Sequence, residues 1–162
     1  MRHTIGRLIV VAALVGLLMC AARSEVAGQG AGGKRSDSVV KTAVSADKPG
    51  ADGKQVITVK LAVDNGWHIY ANPIGEDVGI PTKITVEGKK PEEVQVDYPK
   101  GQAVQDPQVG TYSIYEDEVA IRVTVARSSG DSPLKVKVKF QSCKTGSGGK
   151  CLAPATVELA VP

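Results

Sequence analysis

Apolar and polar residues alternate with a period of two along most of the chain, which is typical of β-strands with one buried face. The clearest case is residues 134–140, where four apolar residues alternate with Lys135, Lys137 and Lys139. The same alternation predicts strands over residues 55–63, 67–70, 82–86, 94–98, 119–125 and 156–161, and a further short edge strand over residues 39–44.

These segments predict an all-β fold, since no window after the first thirty residues shows a helical repeat. Each alternating strand must bury its apolar row, and two facing sheets do so with one shared core. Seven or eight short strands joined by turns therefore predict an antiparallel β-sandwich. We interpret the lysines of residues 134–140 as a solvated outer face that also protects a sheet edge, in preference to a binding patch.

The first thirty residues follow a different pattern, which predicts export. Arg2 and Arg7 precede an uninterrupted apolar run over residues 8–19, and small residues follow. This is the layout of a secretory signal peptide, with cleavage expected after residue 22 or residue 28. The run is shorter than the roughly 20 residues that span a bilayer, but an uncleaved anchor is an alternative.

The chain is thus predicted to have three parts: a signal peptide over residues 1–28, a flexible polar linker with the possible edge strand over 29–54, and the sandwich over 55–162. The expected location is the periplasm, with secretion as an alternative. Cys20 offers a further alternative, a lipid anchor, although Met19 stands where a lipoprotein signal has a small residue. Membrane contact is expected only if Cys20 is lipidated or the signal stays uncleaved.

Composition and charge exclude two classes of protein. The apolar fraction of 42% and charged fraction of 23% are ordinary for a globular protein and argue against wholesale disorder. The net charge of +3 is too small and too evenly spread to indicate a nucleic-acid binder.

If Cys20 leaves with the signal, Cys143 and Cys151 remain, and exported compartments favour a disulfide between them. The Gly-rich loop between them can bring their Cα atoms within the roughly 4.4–6.8 Å that a disulfide requires. Two interpretations stay open. The pair could be a structural staple that contributes about 2–3 kcal/mol. It could equally be redox-active, with Lys144 and Lys150 favouring the reactive thiolate.

Other chemistry is scarce after the signal. His68 is the only histidine there, and no Ser-His-Asp set or phosphate loop is indicated. A metal site formed by His68 and the two cysteines is disfavoured, because the ligands lack the usual spacing. We expect no metal and no cofactor.

Three patches of sequence carry a resemblance to a known family. They are residues 65–73 (NGWHIYANP) with 80–82 (IPT), residues 98–101 (YPKG) with 113–117 (SIYED), and residues 140–143 (FQSC) with 151–154 (CLAP). Over roughly residues 55–162 the chain resembles the N-terminal periplasmic domain of DsbD, the thiol:disulfide interchange protein. The patch around the cysteines is the most specific of the three.

The resemblance implies an immunoglobulin-like sandwich in which Cys143 and Cys151 form a redox pair without a cofactor. It implies that the pair receives electrons from a membrane-embedded donor and passes them to thioredoxin-fold acceptors, with Cys151 forming the mixed disulfide. Because the sequence ends at Pro162, donor and acceptor are expected on separate chains. The alternative function is a non-enzymatic binding or interaction module with a structural disulfide.

Three further residues are candidates for supporting roles. Tyr70 matches the family, and Asp106 is a candidate acidic neighbour of the cysteines. Asp106 lies in residues 105–110, which correspond to a cap loop that carries an aromatic in better-known members but none here. His68 stands where the family often has Tyr. It could lie near the cysteines and stabilise a thiolate, or be an exposed strand residue, which we favour.

Overall fold

The computed structural model of the protein describes residues 33–76, 78–127, 133–146 and 149–162. Within these ranges the chain forms eleven strands and two short 3-10 turns, at Ser36–Ser38 and Pro91–Glu93. The strands are β1 (Val40–Ala46), β2 (Lys54–Val63), β3 (Trp67–Gly75), β4 (Lys83–Val86), β5 (Val94–Asp97), β6 (Gln102–Asp106), β7 (Gly110–Tyr115), β8 (Glu118–Ala126), β9 (Lys135–Phe140), β10 (Ser142–Lys144) and β11 (Ala155–Ala160).

The predicted signal peptide and Cys20 lie outside the described residues. In the part of the chain that the structure describes, no helix has the length and apolar character that a membrane span needs.

The strands pair into three antiparallel sheets, with the orders β1-β2-β8-β5, β11-β9-β4 and β10-β3-β7-β6. The first two sheets share one core: Ile57 and Ile121 of the first, and Val138 and Phe140 of the second, belong to one buried cluster and have no exposed surface. The predicted all-β, immunoglobulin-like antiparallel β-sandwich is confirmed.

The β2–β8 ladder shows why alternation fixes the fold. Val59 lies opposite Ile121, and Leu61 lies opposite Val119, so the apolar rows of both strands point to the same face. Burying such a side chain stabilises the fold by roughly 1.5–3 kcal/mol. A slip of one residue would turn the apolar row of the slipped strand to solvent, so the register is strongly determined.

Three strands were not predicted: β6, β7 and β10. Most side chains of β6 are exposed, including Gln102 and Gln105, and β7 begins with exposed Gly110 and Thr111. These strands therefore lack the apolar rows that made the others visible, and β10 has only three residues. Strand β3 also runs further than predicted, to Gly75, with a break in its register against β7 after Tyr70.

The sandwich begins earlier than the predicted boundary at residue 55. The possible edge strand is present as β1, which pairs with β2 from Val40 to Ala46. Ser36, which the sequence places in a flexible linker, is fully buried, and its N–H donates to the carbonyl of Ala153. This segment is held because its polar groups find partners in the part of the chain that follows β9.

Candidate functional site

A disulfide joins the two cysteines of the segment that follows β9. Cys143 lies in β10, and Cys151 forms an antiparallel bridge with it. Lys144 N–H donates to the carbonyl of Lys150 beside the pair, at 3.1 Å. The expected disulfide is present, with Cα atoms 3.9 Å apart, slightly closer than the roughly 4.4 Å at the lower end of the usual range.

The two cysteines differ in their access to solvent. Cys143 is only 3% exposed, whereas Cys151 is exposed. A cleft of about 470 Å³ lies over the pair and is lined by the end of β6 and by the loop that follows β10. A thiolate arriving from outside can therefore reach Cys151, while Cys143 is shielded.

Glycines shape the loop between the cysteines. A Cβ atom at Gly149 would collide with the carbonyl oxygen of Lys144. Gly149 N–H donates to the carbonyl of Gly146 at 3.2 Å, and Gly146 has a φ of 105°, which glycine adopts without strain. Gly149 thus serves a specific close approach to the backbone, and Gly146 serves a backbone conformation that other residues rarely adopt.

Tyr70 places its hydroxyl against the disulfide. Its Oη lies 3.5 Å from the Sγ of Cys143 and 3.9 Å from that of Cys151. A disulfide carries no hydrogen, so Tyr70 O–H is the donor in both contacts. Burial raises the pKa of Tyr70, and the nearby Tyr112 raises it further, so the hydroxyl keeps its proton.

His68 lies inside the site, which corrects the prediction that we favoured from the sequence. The residue is 8% exposed, pairs with Cys143 across the β3–β10 ladder and packs edge-on against Tyr70, with ring centroids 5.7 Å apart. Its register partner, Cys143, lies in β10, a strand that the alternation did not predict. The sequence therefore gave no indication that His68 is buried. Burial lowers the pKa of His68, and the charge of Glu116 offsets this only in part, so the ring is neutral at pH 7.

Asp106 ends β6 and lines the same cleft. Its carboxylate oxygen accepts the N–H of Gln108 at 2.8 Å and that of Val109 at 3.2 Å, which closes the turn of the β6–β7 hairpin. The structure therefore brings Asp106 to the cleft with Tyr70 and His68, and its carboxylate fixes the hairpin that forms one wall.

Ser36 is a component of this region that the sequence did not indicate. Its hydroxyl accepts the N–H of Ser142 at 2.8 Å and donates to the carbonyl of Ala153 at 2.9 Å. It therefore ties together the two segments that carry the cysteines. A lone serine in a polar, Gly-rich stretch has no periodic signal that could have revealed this role.

The described residues contain no group of three or more His, Cys, Asp or Glu side chains arranged to hold a metal ion. Both cysteine sulfurs are joined in the disulfide, so neither is a free thiolate ligand. Lys144 and Lys150 are exposed beside the disulfide. The chemistry that the arrangement supports is attack of a thiolate on an accessible sulfur, with a second sulfur sheltered behind it.

Two solved structures of Neisseria meningitidis proteins are similar to this chain. They are the DsbD N-terminal domain in its reduced form (18% identity, 64% of this chain and 74% of that one, TM-score 0.46) and the complex between the DsbD N-terminal and PilB N-terminal domains (19% identity, 72% and 80%, TM-score 0.45). No curated protein sequence matches the chain significantly.

The N-terminal periplasmic domain of ScsB from Proteus mirabilis is 15% identical over 75% of this chain, with a TM-score of 0.51, which supports the fold. This chain spans 43% of that structure's length. The model of the family described as thiol:disulfide interchange protein DsbD, N-terminal, matches residues 38–161. The chain therefore belongs to the family of DsbD N-terminal domains.

Proposed function

We propose that this protein is an exported thiol:disulfide exchange module that passes electrons through Cys143 and Cys151 to thioredoxin-fold acceptors. The observation that carries the proposal is the asymmetry of the pair: Cys151 is exposed at an open cleft, and Cys143 is 3% exposed behind it. A staple that only stabilised the sandwich would need no such access. Membership of the DsbD N-terminal family supports the same chemistry.

The exchange begins when a thiolate of the electron donor attacks Sγ of Cys151. A bond forms between the donor sulfur and Cys151, the bond between the two cysteines breaks, and its electron pair leaves on Cys143. Tyr70 O–H, 3.5 Å from that sulfur, donates to the new thiolate. The donor's second thiol then resolves the mixed disulfide, so the donor is oxidised to a disulfide and the pair is reduced to two thiols.

The reverse sequence delivers the electrons. The Cys151 thiolate attacks an acceptor disulfide, and Cys143 then attacks Cys151 to release the reduced acceptor. Both half-reactions run through Cys151, because it is the exposed cysteine of the pair and Cys143 is only 3% exposed. Sulfur exchange needs no cofactor. Tyr70, Asp106 and His68 act as supporting residues that line the cleft.

We propose a membrane-embedded reductant as the donor and thioredoxin-fold proteins as acceptors. The N. meningitidis complex with a PilB domain is consistent with a DsbD N-terminal domain docking onto another protein domain. The proposed location is the periplasm, which fits the predicted signal over residues 1–28 and the periplasmic origin of the ScsB domain. A lipid anchor through Cys20 would keep the module at the membrane that holds its donor.

The test is trapping of a mixed disulfide in a Cys20→Ala background. Cys143→Ala and Cys151→Ala variants are each mixed with a thioredoxin domain that lacks its resolving cysteine and carries an activated disulfide, and the products are separated on non-reducing gels. We expect Cys143→Ala, which keeps the exposed thiol, to be trapped at least about tenfold faster than Cys151→Ala, in keeping with the dependence of exchange on access.

Equal rates for the two variants would contradict the assigned roles of the two sulfurs. Absence of any trapped product with Cys143→Ala would favour the alternative, a binding module with a structural disulfide. The matched variants differ only in which cysteine remains, so each serves as the control of the other.

A further inference from the structure

A buried nitrogen at the cleft has no hydrogen-bond partner in the part of the chain that the structure describes. Among the described residues, Nδ1 of His68 is the only buried side-chain nitrogen or oxygen atom without one. Leaving a buried polar atom unpaired destabilises the state in which it occurs. The structure is that of the oxidised state, with Cys143 and Cys151 joined.

The β-ladder brings His68 to the sheltered cysteine. His68 and Cys143 are directly opposed in the β3–β10 register, and both line the cleft. Opposed residues of an antiparallel pair project to the same face with Cβ atoms about 4.5–5.5 Å apart. In the oxidised state the sulfur of Cys143 is tied to Cys151 and carries no hydrogen, so it has nothing to donate to His68.

We propose that Nδ1 of His68 accepts a hydrogen bond from the Cys143 thiol when the disulfide is reduced, and that this bond makes the pair easier to reduce. Reduction breaks the bond between the two sulfurs, and each sulfur gains one electron and one proton from the donor dithiol. The S–H of Cys143 can then turn toward His68. The reduced state thereby gains a partner for the buried nitrogen that the oxidised state lacks.

The surroundings favour a neutral bond of this kind. Tyr70 packs edge-on against His68, and Glu116 acts on it through its charge. Tyr112, Asp106 and Lys144 line the same cleft. Glu116 also accepts a hydrogen bond from Thr145 Oγ1 at 3.1 Å. Lys144 is exposed, so no buried cation among these groups would hold Cys143 as a thiolate, and the thiol can donate to the neutral ring.

The inference rests on the proposed function only in that the pair must be reduced and reoxidised in use. Its test compares the wild-type protein with His68→Phe and His68→Asn after equilibration with reduced and oxidised glutathione. His68→Phe keeps an aromatic ring but removes the acceptor, and His68→Asn keeps an acceptor close to the position of Nδ1.

We expect His68→Phe to shift the equilibrium about tenfold toward the disulfide, which corresponds to a potential about 30 mV more negative. His68→Asn should stay within about twofold of the wild type, since it keeps the hydrogen-bond acceptor. An unchanged potential in His68→Phe, or an equal shift in both variants, would overturn the inference. Either result could occur while Cys151 still exchanges disulfides, so failure of this inference is distinguishable from failure of the proposed function.

A measurement on the unaltered side chain removes any dependence on how the variants fold. The imidazole nitrogens can be followed by ¹H–¹⁵N correlation in the oxidised and reduced protein, where His3 is the only other histidine. We expect the Nδ1 resonance of His68 to move on reduction in the direction of an accepted hydrogen bond. A resonance that stays in place would contradict the proposal.

Discussion

The β2–β8 ladder and the cleft end of the molecule are built in opposite ways. Along the ladder the register runs without a break, and inward-facing side chains such as Ile57 and Ile121 are fully buried and apolar. At the cleft, the pairing of β3 with β7 is interrupted after Tyr70. There the second buried cluster joins Tyr70 and Ile114 to Cys143, so it contains a hydroxyl and a sulfur.

The difference indicates that the core supplies most of the stability and that the cleft supplies the sulfur chemistry. Most core side chains lie in the β1-β2-β8-β5 and β11-β9-β4 sheets, whose pairing does not involve the cysteines. Opening the disulfide therefore removes one cross-link and leaves those apolar rows paired. The cleft end can therefore exchange its sulfur partner while the sandwich stays folded.

The largest effect is expected from a cavity in the core. Ile121→Ala should lower the free energy of unfolding by about 2–5 kcal/mol, because it removes a fully buried side chain. Urea denaturation measures the change. Arg122→Ala, at the next and exposed position, is the control and should stay within about 0.5 kcal/mol. Equal losses in the two variants would show that the ladder is not the stabilising region.

Removing the disulfide should cost less. Replacing both Cys143 and Cys151 with Ala should lower the free energy of unfolding by about 2–3 kcal/mol, as expected for a ring this small. The double variant should keep the circular dichroism of a β-protein and a cooperative transition. Its unfolding at room temperature would contradict the separation of the two regions.

The buried serine connects the regions and should have a smaller effect still. Ser36→Ala leaves Ser142 N–H without its partner, at an expected loss of about 1–3 kcal/mol. Ser38→Ala removes an exposed hydroxyl that donates to the nearby Arg35 carbonyl, and should change stability by no more than about 0.5 kcal/mol. Thermal unfolding of both variants measures the two losses of stability. Similar losses in Ser36→Ala and Ser38→Ala would contradict the role of Ser36.

The smallest expected effect is a dependence of stability on pH that arises at the cleft. Burial lowers the pKa of His68 below its ordinary value of 6.5, so the unfolded chain binds a proton more readily than the folded one. Stability is therefore complete above about pH 6.5 and should fall as the pH drops through the folded-state pKa.

His68→Asn should lose this dependence, and unfolding midpoints measured between about pH 7 and pH 5 test it. The exposed carboxylate of Glu87 does not interfere, because Lys137 lowers the pKa of Glu87 from 4.5 and its contribution is lost only at lower pH. A wild-type curve that is flat over this interval would contradict the burial of a neutral His68.

The sequence could predict the sandwich because period-two alternation is a local property. Apolar residues alternate regularly with polar ones over residues 119–125 and 134–140. Both segments form strands of the core, β8 and β9. The cysteine pair was visible for a similar reason, since two cysteines around a short Gly-rich loop indicate a disulfide.

The rest of the site depends on neighbours that are distant in sequence. The burial of His68 follows from its pairing with β10, and that of Ser36 from contacts with Ser142 and Ala153. Strands β6 and β7 expose most of their polar side chains and depend on pairing with each other and with β3. None of these arrangements leaves a periodic signal in the sequence. The residues that form the walls of the cleft could therefore be identified only from the structure.

The reduction potential of the Cys143–Cys151 pair, measured by equilibration of the Cys20→Ala protein with glutathione, tests the central claim most directly. A disulfide that an outside thiolate can open should have a potential between about −270 and −120 mV, the range of exchange proteins. A potential below about −300 mV, typical of structural disulfides, would contradict the claim that this pair carries electrons.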